Sequence, residues 1–139
     1  MTELRMHHVG IVVSDLEESV SFYRDTLGFD VAAEFTVSGD GIGTAVDADG
    51  VTGDFAHLDA GDGLVELIEY DPAGDDVSAD AITQRGAKHV GFTVEDIDAF
   101  HADLPDDVDT VSEPQQTQSG ATILFFEDPD GNFVEVVEA

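Results

Sequence analysis

The sequence has no cysteine and only four basic residues in a chain of 139. Without cysteine, disulfides, thiolate metal sites and cysteine nucleophiles are excluded. No run of about 18 apolar residues occurs, which excludes a membrane-spanning helix. The opening segment MTELRMHHVG has no apolar signal core, and we therefore expect a cytoplasmic protein. Glycine-rich phosphate loops and a G-x-S-x-G segment are also absent, so nucleotide binding and serine hydrolysis have no support.

Acidic residues are abundant: 32 of them, against the four basic residues, give a formal net charge of −28. They are spread along the chain among apolar residues, which indicates a folded domain over residues 1–139 with an acidic surface, not a disordered tail. Such a surface with almost no lysine is typical of a halophilic protein, because salt screens the repulsion between like charges. Nucleic acid and anionic membranes would be repelled, so we expect neither as a partner.

Two parts of the sequence repeat each other. The segment KHVGFTVEDI at 88–97 repeats HHVGIVVSDL at 7–16, and VEVVE at 134–138 repeats VELIE at 65–69. Each of the latter two follows an Asp-Gly turn. A duplication therefore predicts two internal modules, over residues 5–70 and 87–138, joined by the polar, turn-rich linker 71–86.

Hydrophobic periodicity predicts the order strand, helix, strand, strand, strand in each module. The first helix is expected to begin in a capping box formed by Ser14 and Glu17 and to end at Gly28, and the second to be capped by Asp96. The predicted strands are 6–13, 29–37, 43–48, 54–60, 64–70, 87–94, 108–112, 121–127 and 132–137, so the first module has one strand segment more than this order requires.

Each module begins with a strand that carries a histidine and ends with a strand that carries a glutamate. Since side chains alternate along a strand, His8 shares a face with Gly10 and lies opposite an apolar face. His89 repeats that arrangement. Glu66 and Glu135 are flanked by apolar residues, where an unpaired buried carboxylate is costly. With so few basic residues available, a metal, a bound proton or exposure on a polar face would explain them.

Two histidines and two glutamates related by duplication form a set of two nitrogen and two oxygen donors, which suits a first-row divalent ion. We therefore predict a metal site formed by His8, Glu66, His89 and Glu135. The alternative is that the histidines lie at the edge of the core and the glutamates face solvent.

The remaining candidates are assigned weaker roles. His57 could line a pocket, and His7 is expected to point away from His8 in a structural role. A surface or core-edge position is expected for His101. Glu69 and Glu138 are expected to be solvated, and DPDGNF at 128–133 to form a turn.

The chain resembles the vicinal oxygen chelate superfamily on four segments: HHVGIVVSDLEESVSFYRDTLGF, LVELIEY, KHVGFTVEDIDA and DPDGNFVEVVE. That superfamily includes glyoxalase I, methylmalonyl-CoA epimerase, extradiol dioxygenases, and fosfomycin and bleomycin resistance proteins. The resemblance covers nearly the whole chain. It implies an α+β fold of two tandem βαβββ modules whose curled mixed sheets surround a central metal cavity. It also implies that His8, Glu66, His89 and Glu135 bind a divalent ion (Ni, Co, Mn, Zn or Fe), and that the protein is a homodimer. The four ligands of one ion would then come either from one chain or from both chains of the dimer.

The resemblance is best to glyoxalase-type members. Extradiol and fosfomycin enzymes typically have two histidines and one glutamate, bleomycin-binding members usually lack the metal set, and the epimerase has a His-Pro-Lys-like segment in place of DPDG. The implied activity is that of a metal-dependent lyase or isomerase acting on a small molecule with vicinal oxygens. It would move a proton between adjacent carbons through a metal-stabilised enediolate, with Glu135 as ligand and base and Glu66 as the second candidate.

Three alternatives stay open. They are an oxygen-using, extradiol-type dioxygenase, a protein similar to methylmalonyl-CoA epimerase, and a non-catalytic small-molecule binding or resistance protein. The scarcity of basic residues also counts against an anionic thiol adduct, such as a glutathione or CoA thioester, as the substrate.

Overall fold

The computed structural model describes residues 2–139. The chain divides into two compact units, Met1–Asp76 (unit 1) and Val77–Ala139 (unit 2). The boundary lies inside the segment 71–86 that the sequence marks as a linker. Each unit contains one four-stranded sheet with both parallel and antiparallel pairs.

Unit 1 is built as strand, helix, and three further strands. Its elements are β1 (His8–Val12), α1 (Leu16–Ser21) followed by a π-helical turn (Phe22–Thr26), β2 (Asp30–Val37), α2 (Asp40–Ala45), β3 (Thr52–Asp59) and β4 (Leu64–Asp71). The strand order is β1-β4-β3-β2, with β1 parallel to β4 and the other pairs antiparallel. Val20 and Tyr23 from the helical segment are buried with Leu58 and Leu67 of the sheet, as the apolar spacing of the helix predicts.

Unit 2 has the same order of strands and helix, but its outermost strand is shorter. Its elements are β5 (His89–Thr93), α3 (Ile97–Asp103), β6 (Gln115–Gln116), β7 (Thr122–Glu127) and β8 (Phe133–Glu138). The order is β5-β8-β7-β6, with β5 parallel to β8. Ile97, Leu124, Phe126 and Val134 are almost completely buried. The α+β class and the two βαβββ modules predicted from the sequence are therefore confirmed.

Two predicted strands are wrong. Residues 43–48 lie at the end of α2 and in the turn after it. Gly39 (φ 101°) precedes α2, and Gly43 packs so closely that a Cβ there would lie 3.1 Å from the Ala48 carbonyl oxygen. Residues 108–112 contribute only an isolated bridge between Thr110 and Phe126, and pairing resumes in β6, directly after Pro114, which has no N–H for a ladder.

The helix starts agree only partly with the sequence. Asp96 caps α3 as predicted, since its carboxylate accepts a hydrogen bond of 3.0 Å from the Ala99 N–H. The predicted Ser14–Glu17 capping box is wrong. Asp15 caps α1 instead, because its carboxylate reaches the Glu18 N–H at 3.1 Å. Gly28, with φ of 81°, follows the helical segment as predicted. No helix among residues 2–139 has the length and apolarity needed to cross a membrane.

Candidate metal centre

In unit 1, the parallel pairing of β1 with β4 brings His8 next to Glu66. Gly10 lies in register with Glu66, and a Cβ on Gly10 would lie 3.8 Å from Glu66 Oε1. The missing side chain thus leaves room for the carboxylate beside the imidazole. His8 Nε2 lies 3.4 Å from Glu66 Oε1, with side-chain exposures of 38% and 13%. One face of each group is therefore open to a ligand, while Val65 and Leu67 on either side of Glu66 are buried.

In unit 2, β5 and β8 form the same arrangement. Gly91 lies in register with Glu135, and a Cβ on Gly91 would lie 3.5 Å from Glu135 Oε1. His89 Nε2 lies 3.3 Å from Glu135 Oε1, with side-chain exposures of 40% and 18%. Strand alternation predicts that each histidine shares a face with the glycine two residues on, and in each unit that histidine lies beside the glutamate of the last strand.

The separation within each pair fits a shared metal ion. Two donor atoms that each lie about 2.1 Å from one ion, at tetrahedral to octahedral angles, are about 3.0–3.4 Å apart. The observed separations are 3.4 Å in unit 1 and 3.3 Å in unit 2, longer than a good hydrogen bond. Among residues 2–139, no three histidine, aspartate or glutamate side chains are placed to hold a metal ion together. Each unit thus supplies a two-donor pair.

His57 is a further member of the unit 1 cluster. It lies directly opposite Glu66 in the β3–β4 ladder, and its Nε2–H donates a hydrogen bond of 2.6 Å to Glu66 Oε2. The two side chains are only 15% and 13% exposed. From the sequence, the only role expected for His57 is to line a pocket. Counting back across the turn from Glu66 would have placed it on the same face, since directly paired residues of antiparallel strands share a face.

His7 does not have the structural role expected for it. It precedes the first residue of β1, so strand alternation does not fix its direction. Its Nδ1 lies 2.8 Å from His8 Nδ1 on the exposed surface, and its ring centroid is 6.3 Å from that of His57. His101, on α3, is half-buried and lies at the edge of the unit 2 core, within the range expected for it.

The expectation that Glu69 and Glu138 are solvated is wrong. Each is half-buried and accepts a hydrogen bond from the first backbone N–H of a helix. Glu69 Oε1 accepts from Leu16 N at 2.9 Å, and Glu138 Oε1 from Ile97 N at 3.1 Å. An unsatisfied N–H at a helix start attracts a carboxylate, which explains both contacts. The turn at 128–133 is as predicted, and Asp128 is buried while accepting from Asn132 N at 2.9 Å.

A cavity of about 590 Å³ lies beside α1 in unit 1. Among its lining residues are Asp15, Glu69 and Arg24. The two carboxylates accept backbone hydrogen bonds at the helix start, and Arg24 Nε donates to Asp25 at 2.8 Å. That hydrogen bond, with the charge of the guanidinium, holds the pKa of the Asp25 carboxyl below its ordinary value. These contacts stabilise the helix, and Glu69 lies on the strand face opposite to Glu66.

Comparisons with known proteins agree with this architecture. The family model of the Glyoxalase/Bleomycin resistance protein/Dioxygenase superfamily matches residues 5–136. The uncharacterized protein YaeR of Escherichia coli K12 is 31% identical over 137 residues, which cover 96% of this chain and 95% of YaeR.

Solved structures show the same fold. A glyoxalase family protein from Bacillus cereus superposes with a TM-score of 0.87 at 24% identity, covering 99% of this chain and 95% of its own. The trypanothione-dependent glyoxalase I of Leishmania major has a TM-score of 0.66 at 26% identity, covering 98% of this chain and 87% of its own. The chain belongs to the Glyoxalase/Bleomycin resistance protein/Dioxygenase superfamily.

Proposed function

We propose that the protein is a divalent-metal-dependent lyase or isomerase of the glyoxalase type, acting on a small molecule with vicinal oxygens. The observation that carries the proposal is the repeated pair, an imidazole nitrogen 3.3–3.4 Å from a carboxylate oxygen in both units. Superfamily membership and the similarity to a glyoxalase I support the same class of reaction.

His8, Glu66, His89 and Glu135 are the proposed ligands of one divalent ion, from the group Ni, Co, Mn, Zn and Fe. Imidazole with carboxylate suits these borderline cations better than it suits calcium or magnesium, which prefer oxygen ligands alone. When bound, the ion would supply Lewis-acid activation of the vicinal oxygens of the substrate. We also propose a homodimer as the functional form.

Glu135 is the proposed base, which moves a proton between the two neighbouring carbons. Its carboxylate lies beside an open position, since Gly91 has no side chain and Glu135 Oε1 would be only 3.5 Å from a Cβ there. A side chain that is 18% exposed and flanked by the buried Val134 and Val136 can reach a substrate without being fully hydrated. Glu66 is the second candidate for this role.

The substrate is proposed to carry little negative charge. The chain has four basic residues against 32 acidic ones. Of the basic residues, Arg24 is paired with Asp25, and Lys88 Nζ donates to the Gly86 carbonyl at 3.0 Å. An anionic thiol adduct would approach this surface against electrostatic repulsion, whereas a neutral or cationic one would not.

The test combines metal analysis with a direct measurement of proton transfer. The protein is purified at high salt and its metal content measured. It is then loaded with each candidate ion and given α-oxo-thiohemiacetals formed from several thiols in deuterated water. NMR is expected to show deuterium entering the carbon next to the carbonyl only with metal-loaded protein. A wild-type protein that binds no divalent ion, or that catalyses no exchange or isomerisation when loaded, would contradict the proposal.

An extradiol-type dioxygenase is the second candidate. For this candidate, the hydrogen bond between His57 and Glu66 Oε2 has the opposite meaning: it would keep Glu66 off the metal and leave two histidines and one carboxylate as ligands. That set is typical of non-haem Fe(II) oxygenases. Oxygen consumption that requires both Fe(II) and a catechol would support this candidate, and no consumption across a panel of catechols would remove it.

A further inference from the structure

The two proposed glutamate ligands occupy equivalent positions but have different neighbours. Glu66 and Glu135 each lie in register with a glycine of the parallel strand on one side. On the other side, the antiparallel strand places His57 opposite Glu66 and Phe125 opposite Glu135. The duplication thus provides an internal control, because one carboxylate has a hydrogen-bond donor beside it and the other has an aromatic ring.

His57 is itself held in place. Its ring lies parallel to that of His8, with centroids 6.1 Å apart and an interplanar angle of 23°, and meets the Phe35 ring edge-on at 5.1 Å. At 15% exposure, its donor has little access to competing water. A hydrogen bond of 2.6 Å to a carboxylate is of the short, charge-assisted kind. The imidazole therefore fixes the rotation of the Glu66 carboxylate.

Because the Glu66 carboxylate is held in one orientation, its two oxygens have different contacts. Oε2 accepts the hydrogen bond from His57, and Oε1 is left facing His8 Nε2 at 3.4 Å. Glu66 is thereby set to bind an ion through one oxygen in one orientation. Hydrogen bonds from outside the ligand set are the usual way in which proteins orient metal-binding carboxylates and histidines.

Glu135 has no equivalent restraint. Phe125 offers no donor, and its ring packs edge-on against His89 at 5.0 Å. Within residues 2–139, the Glu135 side chain is paired only with His89, at 3.3 Å. Its carboxylate can therefore rotate away from a bound ion, which a base must do to accept a proton from carbon and return it.

We propose that His57 is a positioning residue that holds Glu66 as a fixed, one-oxygen metal ligand, and that its absence from the equivalent place in unit 2 leaves Glu135 as the mobile base. This inference rests on the proposed function, because it assigns different tasks to the two glutamates of that site.

The test compares two substitutions of His57. His57→Phe copies the residue found in unit 2, and His57→Gln keeps an N–H donor. His101→Gln, which removes a histidine of α3 outside the proposed ligand set, is the matched control. Circular dichroism and thermal melting establish that each variant is folded. Calorimetric titration with Co(II) gives the affinity, and the visible absorption of the Co(II) protein reports the ligand geometry.

His57→Phe is expected to weaken Co(II) binding by about 10- to 100-fold, as is usual when an outer partner of a ligand is removed, and to change the visible spectrum. His57→Gln is expected to recover most of the affinity and the wild-type spectrum, which a purely space-filling role for His57 would not produce. His101→Gln is expected to match the wild type. A folded His57→Phe variant with wild-type affinity and spectrum would overturn the inference, as would a His57→Gln variant that behaves like His57→Phe.

The outcome for the inference can be told apart from that for the proposed function. If the wild type binds Co(II) but catalyses no proton exchange, the proposed function fails while the affinity series still decides the role of His57. If the wild type is active and His57→Phe binds metal normally, only the inference fails. A wild type that binds no divalent ion overturns both.

Discussion

Units 1 and 2 place the same pair of residues on the same pair of strands but surround it differently. In unit 1, β2 and β3 are each eight residues long and place Phe35 and His57 on the same side of the sheet as Glu66. In unit 2, the outermost strand β6 has only two residues, and Phe125 takes the place of His57. The comparison shows that duplication preserved the two possible ligands, and that the residue across the hairpin distinguishes one glutamate from the other.

Removing each carboxylate in turn is the most direct test of the difference between the two units. Glu135→Gln is expected to lower kcat by about 10²- to 10⁴-fold, the usual contribution of a general base, with a smaller loss of metal affinity. Glu66→Gln is expected to act mainly on metal affinity. Deuterium exchange under saturating metal measures the first effect and Co(II) titration the second. Glu113→Gln, at an exposed position, is the control. Equal loss of kcat in both variants at saturating metal would contradict the division of tasks.

The histidines should behave alike where the glutamates differ. His8→Ala and His89→Ala each remove a proposed ligand of similar exposure, 38% and 40%. Both are expected to weaken metal binding by more than the roughly 10- to 100-fold typical of outer partners. Titration with Co(II) measures the metal affinity of each variant. If only one of the two variants lost affinity, the pairs would not serve one ion equally.

Unit 2 can also be given the restraint of unit 1. Phe125→His places a donor opposite Glu135, and a hydrogen bond to a charged group contributes about 1.5–3 kcal/mol. The substitution is therefore expected to slow proton transfer by about 10- to 100-fold, with a metal affinity equal to or higher than that of the wild type. Both kcat at saturating metal and the affinity for Co(II) are measured for each variant. Phe125→Leu, which offers no donor, is the control and should retain more of the rate.

The smallest expected effect concerns the helix starts, where the two units are alike. Glu69→Ala and Glu138→Ala each remove a carboxylate that accepts from a helix N–H, at 2.9 Å and 3.1 Å. Each loss is expected to cost about 1 kcal/mol and to lower Tm by about 2–4 °C. Thermal melting at fixed high salt measures this. The Gln variants retain an acceptor and should lose less, so an Ala variant no less stable than its Gln counterpart would argue against the cap.

The sequence predicted most of the fold because the duplication repeats its own boundaries. A histidine strand, a capped helix and a glutamate strand recur in both halves. The contacts of His8 with Glu66 and of His89 with Glu135 follow from the parallel pairing of the first strand with the last in each unit, which residue patterns do not specify. The sequence did not predict α2, since GDGIGTA lacks both helical and strand periodicity and its conformation depends on close packing at Gly43. The sequence also does not predict the role of His57. Its contact with Glu66 depends on the register of β3 against β4, which residue patterns alone specify only weakly.

The last strand of each unit, β4 or β8, contacts both a helix start and the histidine of the first strand. Glu66 and Glu69 are three residues apart, as are Glu135 and Glu138, so alternation directs one of each pair towards the histidine of the neighbouring strand and the other towards a helix start. A single-residue insertion between the members of a pair would put both on one face and abolish one of the two contacts. Natural length variation in relatives is therefore expected in the connections at 38–51 and 71–86, and not within the E-x-x-E segments.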